Sequence, residues 1–337
     1  MARTRTTIED VALLAQVSKV TVSYVLNGRG AQARISPATS EKVREAAREL
    51  GYRPNGLARR LLSSRTHTIA LAFQYAGLFS SESGFINELM AGVCETATQH
   101  GYDLVLHTRA PQPDENDADV LTDGRCDGAL LLRDRDDPIA ADLANRNFPS
   151  VLFFTHAADP RVSFVDADNF GGAEMAVKYL AEQGHQKIGL VHGSDAAYAS
   201  FERRCGFEHA IVELGLEDRK DWRFQMGWAH DDASSLISTL QKDDRPTALV
   251  CWSDDVALEV LRIARNLKIR VPSELAVIGF DSLPHCERAE PPLTSVRQPV
   301  RVMAARATVA LIDAIEGRRE TPVRELIPLT IDCRRSV

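Results

Sequence analysis

Seven short, nearly continuous apolar runs recur along residues 66–337: Ile69–Phe73, Leu104–His107, Gly128–Leu132, Val151–Phe154, Ile188–Val191, Ala248–Cys251 and Ala276–Phe280. Runs this short, without alternating polar positions, are the pattern of strands buried on both faces, the setting of a parallel sheet. Between them lie stretches of helical periodicity, such as Ile86–His100 closed by Gly101. Parallel neighbours need a crossover, usually a helix, so the alternation predicts an α/β body with helices on both faces of its sheets. About 270 residues is long for one such sheet, so two subdomains are expected. In open α/β sheets ligands bind outside the carboxyl ends of the strands, which directs attention to the residues just after these runs.

The first 65 residues follow another pattern. They hold twelve Lys/Arg against five Asp/Glu, a net +7, in a chain whose total is −7, leaving −14 for the rest. A basic head on an acidic body suits a head that meets phosphates. Thr7 and Asp10 have capping-box spacing, and Ile8, Val11, Ala12 and Ala15 share a helical face. Ser18 caps a second helix with Val22, Val25 and Leu26 behind and Lys19, Val20, Ser23, Tyr24 and Asn27 in front; Asn27-Gly28 ends it. Ser36-Pro37 opens a third, which runs through Val43, Ala46, Ala47 and Leu50 to Gly51. Three short helices in so basic a segment predict a helix-turn-helix unit; a small protein-binding bundle is the rival reading.

No stretch approaches ~18 uninterrupted apolar residues, so no membrane span is expected. The opening MARTRTTIEDV lacks the apolar region of an export signal, so a cytoplasmic protein is expected. The six cysteines are scattered without a CxxC pair and read as free thiols. There is no P-loop, dinucleotide glycine fingerprint, HxxxH spacing or GxSxG elbow, so no cofactor, metal or catalytic residue is assigned. Asp231-Asp232 and Asp254-Asp255 read as loop ends and helix caps rather than acid/base pairs.

The motifs carry a resemblance. Asp10-Val11-Ala12, Val17-Ser18, Thr21-Val22-Ser23, Val25-Leu26-Asn27, Leu50-Gly51-Tyr52, Pro54-Asn55 and Ala58-Arg59-Arg60-Leu61 keep the spacing of the LacI/GalR bacterial transcription regulators, which this chain resembles throughout. The resemblance implies that Lys19, Val20 and Tyr24 read bases in the major groove, and that Thr7, Ser18, Thr21, Ser23 and Asn27 contact or orient the phosphate backbone. A thymine methyl is the natural partner of Val20, and guanine O6/N7 of Lys19. Asn55 to Leu62 resembles the hinge helix, with Asn55, Ala58 and Arg59 at the DNA and Leu61 as the wedge that kinks the duplex from the minor groove. Gly56 weakens that helix on its own, so it suits a segment that orders only on DNA beside a twin. Gln16 stands where many relatives have glycine; at positive φ it costs on the order of 1 kcal/mol.

In the body, Val165-Asp166-Ala167-Asp168-Asn169, Gly184-His185-Gln186-Lys187-Ile188, Gly279-Phe280-Asp281 and Pro291–Pro299 match family patterns, and the body resembles periplasmic sugar-binding proteins. By the same resemblance Arg203 clamps the effector and Asp281 pairs with its hydroxyls or amines. Phe85 and Trp228 offer rings to it. Phe154, Thr155 and Ser253 complete the expected effector set, although Phe154-Thr155-His156 and Ser253-Asp254 depart from the usual Asp and Asn-Asp.

The expected architecture is thus an all-α helix-turn-helix DNA-binding head (1–53), a hinge (54–65), and an α/β body (66–337) of two Rossmann-like, periplasmic-binding-protein-like subdomains. The first is expected over about 66–165 plus 299–321, the second over about 166–298 plus 322–337. The expected function is a transcriptional repressor, acting as a homodimer on pseudo-palindromic double-stranded operator DNA. A small-molecule effector, a sugar by resemblance, controls it. A ligand-binding protein with a vestigial head, and a regulator sensing a non-sugar such as a nucleobase, are the alternatives.

Overall fold

The computed structural model describes residues 6–52, 65–74, 84–108, 114–227 and 233–337. The chain divides into two compact units, Met1–Thr66 and His67–Val337. The expected hinge contacts Asn55, Ala58, Arg59 and Leu61, and the ring of Trp228, lie outside the described residues.

In the first unit the helices are α1 (Ile8–Ala15), α2 (Lys19–Leu26) and α3 (Pro37–Glu49). Each begins on a side-chain cap. Thr7 forms the full capping box with Asp10, whose carboxyl is held below its usual range by these bonds; Ser18 and Ser36 accept from Thr21 N and Thr39 N. Val11, Ala15, Val22, Val25, Val43 and Ala46 form the shared core, with Leu26 at its edge. The α1–α2 turn is tight enough that Gln16 sits at φ 55°, ψ 45°. That is the left-handed region where glycine would be free of strain.

The second unit alternates strands and helices: β1 (Thr68–Phe73), α4 (Gly84–His100), β2 (Asp103–His107), α5 (Asp117–Leu121), β3 (Gly128–Leu132), α6 (Ile139–Asn145), β4 (Ser150–Phe153), β5 (Ser163–Ala167), α7 (Asn169–Glu182), β6 (Ile188–His192), α8 (Tyr198–Glu213), β7 (Arg223–Gln225), α9 (Ser234–Leu240), β8 (Ala248–Cys251), α10 (Asp254–Asn266), β9 (Ala276–Asp281), β10 (Thr294–Arg297), α11 (Val300–Glu316), β11 (Arg324–Ile327) and β12 (Thr330–Asp332). One six-stranded sheet runs β11-β5-β4-β3-β1-β2, all parallel; the other runs β12-β10-β9-β8-β6-β7, with only β12 antiparallel. All seven apolar runs are strands. Both faces of the first sheet's inner strands are covered, as continuous apolar strands require, but β2 at its edge departs from the expected two-sided burial, with Val105 and Leu106 exposed. Ile69 and Leu71 face Leu89 and Val93 of α4, while Ala70 and Ala72 belong to the opposite core with Leu121 and Leu143.

The expected subdomain limits need correction. The first lobe runs through Ala167, because β5 is a strand of its sheet, and it also takes residues 324–327 from the segment 322–337 expected in the second lobe. The register is unambiguous: Asp166 pairs with Leu326 and Ala167 with Ile327. Helix α11 returns to the first lobe, so close to α4 that a Cβ on Gly92 would run into the Arg301 carbonyl. The chain therefore crosses between lobes three times: after Ala167, after Arg297, and between Ile327 and Thr330.

Candidate functional site

The front of α2 is open. Val20 is 62% exposed and Tyr24 42%, while Val22 and Val25 beneath them are buried. Lys19 is exposed and pairs with Glu9 of α1. The hydroxyls expected at phosphates also hold the helix: Ser18 Oγ lies 3.1 Å from Thr21 N and 2.9 Å from Thr21 Oγ1, and Asn27 Nδ2 donates to Ser23 Oγ at 3.3 Å. An apolar surface beside a cation and a phenol, on a helix rigidly capped at its start, can meet base edges and phosphates together.

In the body, a cleft with about 780 Å³ of free volume lies at the carboxyl ends of both sheets. Gln74 follows β1, Leu132–Asp134 close β3, Phe154 follows β4, Asp166 is near the end of β5, Trp252-Ser253 follow β8, and Asp281 ends β9; all line it. Phe85 enters from α4, Tyr198 and Arg203 from α8, and Gln298 from the second crossover. Of the expected effector residues, Phe85, Phe154, Arg203, Ser253 and Asp281 thus come together, whereas Thr155 is buried and is not part of the lining. Phe154 (φ 58°) and Asp281 (φ 109°) hold positive φ, a strain concentrated where two strands open into the cleft. Phe85 and Phe154 pack edge to face at 4.9 Å.

Arg203 is almost wholly engaged by the protein. Nε donates to Asn169 Oδ1 (2.8 Å) and one terminal nitrogen to Gln298 Oε1 (3.1 Å); the other donates to the Trp252 carbonyl, and the guanidinium lies 3.5 Å above the centre of the Phe280 ring. Asn169 and Gln298 stand beside the first and second crossovers, so this one side chain ties both to the second lobe. Asp281 is the reverse case. Its Oδ1 is buried without a hydrogen-bond partner, and the Arg203 nitrogen is 3.7 Å away. Burial pushes its carboxyl well above the usual range, with Arg203 pulling back only in part. The site therefore holds a buried carboxyl oxygen without a hydrogen-bond partner, while its arginine is a brace.

Two neighbours explain other acidic motifs. Asp254 is buried under Leu283 N (2.8 Å) and Ser295 Oγ (2.6 Å), and burial raises its carboxyl. Gly279 is required there, since a Cβ would collide with that carboxylate. Asp166 accepts from His156 Nδ1 (2.9 Å), Ala167 N (2.8 Å) and Asn169 Nδ2 (3.2 Å), and the His156 ring lies 4.1 Å from that of Tyr198. Among the described residues, Asp254–His285–Cys286 and Glu174–His209–Glu213 are compact enough to hold a metal ion. In the first the carboxylate is already satisfied by protein donors, and in the second Lys178 pairs with Glu213 at 3.2 Å.

Comparison with known proteins matches both units. Residues 7–55 match the family described as bacterial regulatory proteins, lacI family, and residues 177–337 a periplasmic binding protein-like domain. The HTH-type transcriptional regulator CelR of Thermobifida fusca is 34% identical over 339 residues, 99% of each chain. The chain belongs to the LacI family. As a LacI-family member it is a DNA-binding transcriptional regulator with a helix-turn-helix head. The repressors PurR of Aliivibrio salmonicida (32% identical, 98% of each chain) and CytR of Escherichia coli K12 (31%, covering 94% of this chain and 91% of CytR) are further relatives, both named as transcriptional repressors. The solved complex of CelR with cellobiose superimposes with a TM-score of 0.71 at 33% identity, covering 99% of this chain and 100% of CelR. A lac repressor dimer bound to operator has the same fold, with a TM-score of 0.83 at 24% identity over 98% and 99% of the two chains.

Several cleft residues were not assigned to the effector site from sequence: Gln74, Arg133, Tyr198, Trp252, Asp255 and Gln298. Trp252 and Gln74 carried a readable signal, since each directly follows an apolar strand run. Gln298 stood in the Pro291–Pro299 match without a role, since a lobe crossover brings it in, and Tyr198 carried no signal, because helix position places it. No helix among the described residues is long and apolar enough to cross a membrane.

Proposed function

We propose that the protein is a repressor whose operator affinity is set by a carbohydrate bound in the cleft. The observation that carries the reading is the vacant, buried Asp281 Oδ1 in a cleft walled by Phe85, Phe154, Tyr198 and Trp252. A carboxylate takes the hydroxyls of a sugar while the rings cover its apolar faces. The complex of the relative CelR with cellobiose supports this class of ligand. The protein acts as a homodimer on a pseudo-palindromic operator, with one α2 in each major groove and Lys19, Val20 and Tyr24 at the bases. Thr7, Ser18, Thr21, Ser23 and Asn27 meet phosphates, and Leu61 wedges open the minor groove. An effector that favours one lobe geometry favours the hinge arrangement coupled to it; by linkage, operator binding disfavours the effector equally. The domain reading that goes with this is a DNA head over 1–53, a hinge over 54–65 and an effector body from 66.

The test is a thermal-shift screen of the full chain over neutral sugars, followed by gel shift on a palindromic operator with and without the sugar that binds. A sugar that raises the melting temperature and weakens the operator complex is expected, as is weaker operator binding by Leu61→Ala. A screen in which no sugar stabilises the protein would sink the carbohydrate reading.

A further inference from the structure

The part of the head that carries α2 is free of acids. Residues 11–40 hold no aspartate or glutamate and three cations, Lys19, Arg29 and Arg34. The acids just before it are Glu9 and Asp10, in the first turn of α1. Asp10 is spent in the capping box, accepting from Thr7 N at 2.8 Å and from Thr7 Oγ1 at 2.9 Å. Glu9 takes no part in that box. Its carboxylate accepts from the Lys19 ammonium, across the α1–α2 turn. Both side chains are 60% exposed.

The pair adds little to the fold. Exposed ion pairs contribute little to stability, and Val11, Ala15, Val22 and Val25 already join α1 to α2. Lys19 is also the first residue of α2, where a cation opposes the positive end of the helix, and no acid stands in that first turn to offset it. What the pair offers is a pattern of donors and an acceptor. The ammonium has three N–H groups; one goes to Glu9 and two remain, and a Glu9 carboxylate oxygen remains to accept. In the major groove a G·C pair presents the guanine N7 and O6 acceptors and then the cytosine N4 donor. An A·T pair sets its donor between its acceptors.

Resting on the reading that α2 enters the major groove with Lys19 at the bases, we infer that Glu9 is a specificity-determining residue and that Lys19 and Glu9 together read one G·C pair in each half-site. Lys19 gives its two remaining donors to guanine, and Glu9 accepts from cytosine. Glu9 also offsets the charge that draws Lys19 toward a phosphate, a contact that positions the protein without specifying sequence. Loss of this carboxylate therefore turns Lys19 from a base reader into a phosphate anchor. Binding to DNA of any sequence then gains, and discrimination falls.

The experiment uses the full chain as wild type, Glu9→Gln, Lys19→Met and the double variant. Each is titrated over a salt series against an operator that the wild type selects from a random duplex pool, the same operator with single base-pair changes, and a scrambled duplex. The selected half-site is expected to hold one G·C pair at which Glu9→Gln loses roughly tenfold of discrimination, within the about 5- to 150-fold that one mismatched pair is worth. On the scrambled duplex the same variant is expected to steepen the slope of log affinity against log salt by about 0.9 per protomer, as one added phosphate contact does. Neither change is expected when Glu9→Gln is made on Lys19→Met. Wild-type discrimination and slope in Glu9→Gln, beside a Lys19→Met that has lost discrimination at that pair, overturn the inference and leave Lys19 at the bases. Lys19→Met with wild-type discrimination throughout overturns the reading of α2 and the inference with it. A gain on scrambled DNA that persists when Glu9→Gln is made on Lys19→Met means that Glu9 only repels phosphates, and this too overturns the inference.

Discussion

At the scale of single residues, Gln16 shows how a local rule can be broken and tolerated. Its position in a turn was readable, and its left-handed backbone (φ 55°) is what makes the side chain a burden. Gln16→Gly should stabilise the head by on the order of 1 kcal/mol, seen as a higher melting temperature of the DNA-binding unit, with the exposed face of α2 unaltered. An unchanged or lower melting temperature would contradict this. The buried pair Arg203 and Asp281 marks the limit of residue-level reading. Both were picked from sequence, yet which one is free for a ligand depends on Asn169, Gln298 and the Trp252 carbonyl. These lie up to about 95 positions away in sequence, and no local pattern connects them.

Among elements, the head was almost fully legible because caps and periodicity act locally: Ser18, Ser36 and the Thr7–Asp10 box start helices where they stand in sequence. Strands buried on both faces were legible for the same reason. The strands β5, β7, β10, β11 and β12 were not predicted from apolar runs, because they are short, mix polar residues such as Asp166 and Arg297, and lie at or near sheet edges. The packing of α7 against α8 was also invisible, although one residue sets it. Gly206 lets the helices approach until a Cβ there would strike the Phe170 carbonyl. Gly206→Ala must push α8 off α7 and so displace Tyr198 and Arg203, which α8 carries into the cleft. The expected loss is roughly 1–3 kcal/mol of body stability by chemical denaturation, together with weaker effector binding. Wild-type stability in this variant would show that the contact relaxes without moving the helix.

For the whole molecule, the raised carboxyl of Asp281 links the cleft to pH. A carboxyl whose folded value lies above its unfolded value binds more protons in the folded state throughout the interval between the two. Folded stability in that interval therefore falls as pH rises and recovers as pH falls. Asp281→Asn, which cannot titrate, should flatten the gain in body stability on acidification from neutral pH toward the usual carboxylate range. Denaturation at a series of pH values measures this, and an equal gain in the variant would assign it to other groups such as Asp254. Sequence also misplaced the lobe limits, because a sheet is assembled by register and not by order along the chain. The three crossovers have a further consequence for how the protein comes into being. A ribosome delivers residues 1–52 with all three head helices complete, whereas the first sheet waits for residues 324–327 to cover the flank of Ser163–Ala167. During synthesis the nascent chain thus carries a finished DNA-reading head on a body with an open sheet edge. That edge is the part a chaperone would have to guard.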